Sequence, residues 1–350
     1  MSNKTVNVKS IEKSTNFTRL MVIYVIPVLV IYLLWIIYMT NTSSWGLYRD
    51  NWFMAVTMMF GSFIAGSSSE GGGAVAFPVM TLVFNIEPSI ARTFSLAIQS
   101  FGMTTAALLI IALKIKIEQN YLVLAGIGGI FGMIVGTFWI APMIAPAYAK
   151  MLFTSFWMSF GAVLFWINVI NKRSTVNSLP DLSKYEQYEL VFIGLVGGIL
   201  SSTLGSGIDI CTFAFVTMKY RLSEKIATPT SVIFLASNAL FGILLHQYVI
   251  DDVTSQVTNY LLVCIPVVIL GAPLGSYVIS FIRRVHIVMF LCFAIVLQFV
   301  TAIIVIKPTG GLLYFSIAVF LSGIILFFVL TQTNMKRSQS AIEPLQINSD

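Results

Sequence analysis

Two apolar segments of this chain, Trp52 to Phe84 and Glu189 to Met218, are each broken near the middle by small polar residues. As continuous helices rising 1.5 Å per residue they would reach about 45–50 Å, longer than a hydrocarbon core of roughly 30 Å and too short for two crossings. The first break reads Gly66-Ser67-Ser68-Ser69-Glu70-Gly71-Gly72-Gly73, and the second reads Ser201-Ser202-Thr203-Leu204-Gly205-Ser206-Gly207-Ile208-Asp209. Glycine runs weaken a helix, and serine and threonine compete for its backbone hydrogen bonds. Each segment is therefore predicted to form a pair of half-helices.

The stretches around them have ordinary membrane-crossing length, and about eight full spans are readable. With 57% hydrophobic and 10% charged residues, the chain lacks the polar surface a soluble fold needs, so the bilayer is its solvent. The stretch Leu20 to Met39 follows a basic tail, but it exceeds the usual signal-peptide core and no clear cleavage pattern follows, so it is read as an anchor. The net charge of +6 is spread through short loops, which argues against nucleic-acid binding. Cys211, Cys264 and Cys292 fall in apolar segments as small hydrophobes, without a disulfide framework.

The two breaks occupy matching places in an internal duplication. A shift that lays Gly71 on Gly207 also lays Phe77 on Phe213, Thr81 on Thr217, and Ile90-Ala91 with Ser95 on Ile226-Ala227 with Ser231. Gly132 and Gly136 match Gly271 and Gly275 at a slightly larger shift, and these single glycines are assigned to helix packing.

Basic residues favour cytoplasmic loops. If each broken segment is a re-entrant hairpin, sixteen of the 20 lysines and arginines share the cytoplasmic side, all except Arg49, Arg92, Lys150 and Lys307; complete crossings leave only thirteen there. The hairpin arrangement gives each half one hairpin plus three spans. That odd number orients the halves oppositely, with the first hairpin entering from outside. The predicted fold is an all-α bundle of two inverted repeats, each with a broken re-entrant hairpin, an architecture suited to alternating access.

Half-helices beginning near Gly71, Gly72 and Gly73 and near Gly207 would aim free N–H groups and positive dipole ends at the bilayer centre, where they suit an anion. Hydroxyls of Ser67, Ser68, Ser69, Ser202, Thr203 and Ser206 can add donors around Gly205 and Gly207. Arg92, Thr93, Ser95, Thr228 and Ser231 are candidates to line the site from adjoining helices, with Gln99 and Asn238 deeper. Glu70 and Asp209, inside the breaks, are candidates to gain and lose a proton as the anion moves; the alternative is a carboxylate capping a helix start. Arg92 could draw an anion to the outer mouth or merely snorkel to headgroups. His246 and His286 sit at segment ends without a partner at ligand spacing, so no metal site, cofactor or catalytic group is expected.

The first break, followed by Phe77-Pro78 and Ala91-Arg92-Thr93-Phe94-Ser95, resembles the first repeat of the sulfite exporter (TauE/SafE) family. Gly197-Gly198, Gly205-Ser206-Gly207 and Ala227-Thr228-Pro229-Thr230-Ser231 resemble its second. The resemblance covers nearly all of Trp52 to Ile306 and implies export of sulfite, organosulfonates such as sulfoacetate, or related oxyanions across a cell membrane. Ser69-Glu70 interrupts the usual glycine run, and Arg92 replaces a residue that is commonly small or aliphatic. The expected organisation is a cytoplasmic tail (1–19), an anchor (20–39), a first repeat (52–171), a cytoplasmic linker (172–187), a second repeat (188–306), a C-terminal membrane helix (311–330) and a cytoplasmic tail (331–350). A passive anion channel and, further off, a membrane-embedded enzyme are the competing classes.

Overall fold

The computed structural model describes residues 17–68, 71, 76–77, 79–170 and 174–347, without the side chains of Leu82, Pro146, Arg284 and 333–347. These residues form twelve helices and no strand: α1 Phe17–Asn41, α2 Leu47–Ser67, a π-helical turn α3 Val79–Val83, α4 Pro88–Ala112, α5 Gln119–Met143, α6 Ala147–Ile170, α7 Lys184–Leu204, α8 Ile208–Lys219, α9 Glu224–Ile250, α10 Ser255–Phe281, α11 Val285–Ile306 and α12 Gly310–Ile347. Among the described residues nine helices are long and apolar enough to cross a membrane. The one beyond the eight expected is α7, the first arm of the second broken segment. α12 also continues past Leu330, where the membrane segment was expected to end.

Helix starts follow from local chemistry. Pro88 opens α4, where its missing N–H costs nothing. Ser183 and Glu186 cap α7 reciprocally, and the Thr254 hydroxyl accepts from Val257 N at the start of α10. Corresponding helices of the two halves begin in the same register: Pro88 and Glu224, then Gln119 and Ser255, are separated by the spacing of Gly71 and Gly207.

The single glycines pack as expected, and they do so reciprocally. On α5, Gly132 lies against Leu195 and Gly198 of α7, and Gly136 against Ile199 and Ser202. On α10, Gly271 lies against Met59 and Ser62 of α2, and Gly275 against Phe63 and Gly66, the matching positions of the other half. Small residues let these backbones approach closely where lipid offers no hydrophobic drive for association.

α4 and α9 form the centre and run antiparallel. Arg92, at the start of α4, pairs with Asp252 just beyond α9, while Glu118 N, just beyond α4, donates to Thr230 Oγ1 near the start of α9. The two ends of each broken segment lie side by side. Phe53 and Phe84 pack with tilted rings, centroids 4.5 Å apart, between the ends of the first, and Glu189 pairs with Lys219 between the ends of the second. The second arm, α8, has 12 residues and spans about 18 Å. Every residue of it from Ile208 to Met218 is buried, as befits a helix surrounded by protein.

The loops bearing Lys114, Lys116 and Arg221 meet the start of α9, with Lys225, at one end of the bundle. There Val176 N donates to Arg221 O, Ser223 N to Val176 O, and Leu179 N to Glu118 Oε2. Arg19 reaches the same end, donating to Ile111 O at 2.8 Å.

Candidate functional site

At the second break, Gly205 (φ 78°) and Gly207 (φ 153°) turn the chain from α7 into α8 through conformations a side chain rarely adopts. The donors freed at the start of α8 find partners nearby. Ile208 N donates to Ser201 Oγ at 2.9 Å, Gly207 N to Asp209 Oδ1 at 3.1 Å, and Ser206 Oγ to the same oxygen at 3.4 Å. The Asp209 carboxyl thus lies where an anion at this helix start would lie. Its other oxygen, Oδ2, is buried without a hydrogen-bond partner.

Gly71 of the first break meets this turn. A Cβ built on it would stand 2.8 Å from Asp209 Oδ2, 2.9 Å from Gln99 Oε1 and 2.5 Å from Leu235 Cδ2. Gln99 and Leu235 are matching positions of α4 and α9 under the duplication, so the breaks meet on the line between the central helices. Gln99 Nε2 donates to Ser95 O and Gly205 O, both at 2.7 Å, and a Cβ on Gly205 would press on Ser95 Cβ and Arg92 O.

Among the expected site residues, Gly71, Ser95, Gly205, Ser206, Gly207 and Asp209 converge here, with Arg92 contributing its backbone. Thr93 is buried on the same turn of α4. Ser69, Glu70, Gly72 and Gly73 lie outside the described residues, and Ser68 is buried at the end of α2. Several hydroxyls expected to donate to a ligand instead donate to a carbonyl of the preceding turn: Ser67 to Ile64, Ser95 to Ala91, Ser202 to Ile199, Thr203 to Leu200 and Ser231 to Thr228. Ser202 also faces Gly136, away from the meeting point. Asn238 approaches Gly129 of α5.

Thr228 lies apart from these residues. It lines a cavity of about 320 Å³ together with Gly66, Ile110, Lys116, Pro229 and Ser276, among the basic loops. The residues matching Thr228, Lys116 and Ile110 in the other half are Arg92, Asp252 and His246, and at the opposite end these three form a cluster. Asp252 Oδ2 lies 3.5 Å from Arg92 Nη2, and Asp252 Oδ1 lies 2.7 Å from Nδ1 of His246, whose side chain is 0% exposed. Burial pushes the Asp252 carboxyl up. The His246 hydrogen bond and the charges of His246 and Arg92 outweigh this and hold it below the usual carboxylate range. Neither Asp252 nor His246 is among the expected site residues. The one local signal was a carboxylate six residues beyond a histidine at a helix end.

Among the described residues no group of three or more His, Cys, Asp or Glu is placed to hold a metal ion. The many apolar helices make this a multi-pass membrane protein, and inside it Gly71 of the first break meets the turn of the second. The chain matches the model of the family described as Sulfite exporter TauE/SafE over residues 53–304, and it belongs to that family. Comparison with curated proteins and with solved structures finds no match.

Proposed function

We propose that the protein is a secondary transporter, not an enzyme, that exports small anions, with sulfite and organosulfonates as the leading substrates. Residues 52–171 and 188–306 act as inverted repeats, each contributing a re-entrant hairpin. An anion would be held where the breaks meet, by the N–H groups at the start of α8 and by those of the first break. The protein would lie in the cell membrane with its basic end and both termini in the cytoplasm, between the anchor α1 and the C-terminal helix α12.

One observation carries this reading: matching residues of the two halves are in opposite states. Thr228, Lys116 and Ile110 line an open cavity, whereas Arg92, Asp252 and His246 are closed on one another. Two halves with matching sequence and different conformations can exchange those conformations, and that exchange would move the opening from one face to the other. Lys116 and Lys225 at the cavity would favour entry of an anion from the cytoplasm.

The test is flux of sulfite and sulfoacetate in sealed proteoliposomes. A transporter accelerates efflux when substrate is supplied on the far side. Flux that only dissipates the gradient, with no such acceleration, points to a passive channel, and no flux of any oxyanion removes the reading.

A further inference from the structure

Two buried acceptor oxygens without donors, Asp209 Oδ2 and Gln99 Oε1, border Gly71, each within 2.9 Å of the position that a Cβ on it would take. The Gln99 amide has no freedom in its assignment: its nitrogen donates to the carbonyls of Ser95 and Gly205, so the oxygen must face the other way. Asp209 is fixed as well, because Oδ1 receives Gly207 N–H and the Ser206 hydroxyl. Burying one acceptor without a donor is costly, and facing two of them at one point compounds the cost.

We propose that a proton bound on Asp209 Oδ2 and donated to Gln99 Oε1 is the ligand of this pair, and that Gln99 is the residue that positions it. A protonated Oδ2 would supply a donor beside the Gln99 oxygen that lacks one. Hard metal cations gather about six or more oxygens, and among the described residues the buried side-chain oxygens without a partner at this place are these two. The proton comes from water when the pair faces one aqueous side and leaves to water on the other; only an O–H bond forms and breaks. With the carboxyl neutral, Gly207 N–H and the Ser206 hydroxyl no longer face a full negative charge and become available to an anion. With the carboxylate ionised, they are held by it. Proton and anion therefore bind together, and Gln99 links the event to the turn of the second hairpin through its bond to Gly205 O.

The other titratable groups facing Asp209 are Tyr121 of α5, whose hydroxyl bonds Thr212, and Cys211 on α8 itself. On α4, Arg92 is engaged by Asp252, and on α7 Glu189 lies at the hairpin base with Lys219. Glu70 lies outside the described residues. No ion pair reaches Asp209 among the described residues.

The consequence for the anion rests on the transport reading above, but the proton site is read without any transported solute. Infrared spectra of the purified full-length protein, titrated in the absence of anion, are expected to show a protonated-carboxyl C=O band. That band is absent from Asp209→Asn and moves to higher frequency in Gln99→Leu, where the acid loses its acceptor. Because Gln99→Leu also strips a donor from Gly205 O, Asp209→Asn provides a second arm: its amide can donate to Gln99 Oε1 at every pH. Sulfoacetate has constant charge over the neutral range. Its affinity is expected to fall about tenfold per pH unit above the wild-type titration and to stay flat in Asp209→Asn. A band that survives in Asp209→Asn, or one that sodium chloride abolishes at fixed pH, overturns the proposal. So does an unchanged pH slope in that variant. If the band behaves as stated and no oxyanion binds, the substrate reading fails and the proton site stands.

Discussion

Arg92 and Asp252 are joined at 3.5 Å between the start of one central helix and the residue just past the end of the other, at the end of the bundle opposite the cavity. Asp252 is a third exposed, so the pair is worth about 0.5–1 kcal/mol. Removing it with Asp252→Asn is expected to favour opening at that face about two- to fivefold, taking 1.4 kcal/mol per factor of ten. The measurement is labelling of Thr93→Cys by an impermeant thiol reagent, with Cys211, Cys264 and Cys292 replaced. An unchanged labelling rate would show that the pair does not hold this face closed.

The same closure has a defined pH dependence. Asp252 is held below its ordinary range, so the stabilisation it contributes is complete above the unfolded value of about 3.9 and is lost as pH falls through the lower folded value. Labelling of Thr93→Cys, normalised to an exposed control cysteine, is expected to stay level from neutral pH down to about pH 4 as far as Asp252 is concerned, and to rise below it. A rise already complete by pH 5 that disappears in Asp252→Asn would contradict the sign.

Matching glycines should differ in cost. A Cβ on Gly132 runs into the Leu195 carbonyl, and one on Gly66 into the Ala272 carbonyl, both backbone atoms that move only if the helices separate. On Gly271 the obstacle is the Ser62 hydroxyl, which can rotate. Gly132→Ala and Gly66→Ala should each destabilise by about 1–3 kcal/mol, and Gly271→Ala by less. Thermal unfolding in detergent ranks the three; an equal loss would mean that the serine is as rigid as the carbonyls.

Gly71→Ala tests the meeting of the breaks. The substitution places a methyl among Asp209, Gln99 and Leu235 at φ 69°, a backbone conformation costing about 1–2 kcal/mol for a residue with a Cβ. Transport should fall at least tenfold while the protein still elutes as a folded species in size-exclusion chromatography. Full transport in this variant would separate Gly71 from the site.

Both breaks were legible because helix-breaking chemistry is local: seven glycines and serines within the eight residues from Gly66 to Gly73, or a Gly-Ser-Gly at 205–207, weaken a helix wherever they stand. The antiparallel central pair is the arrangement that the inverted duplication proposed above would give. The donor set was misjudged. Inside a helix, a serine or threonine always has a carbonyl of the preceding turn within reach, and Ser95, Ser202 and Ser231 use it. Arg92 was read as a free cation or a headgroup contact because its partner lies 160 positions away. His246 was set aside for lack of a metal-ligand spacing, although a carboxylate partner was nearby. Long-range pairing leaves no periodic mark in a sequence, so only the assembled helices reveal it.

The ends of the two broken segments are fastened by different forces, from the matching positions Phe53 and Glu189. Phe53 on Phe84 is an aromatic clasp, indifferent to salt; Glu189 with Lys219 is an ionic one, weakened by it. Ionic strength therefore loosens one broken segment and spares its twin. If the halves move against each other as proposed above, the two half-cycles should run at rates that electrolyte sets apart.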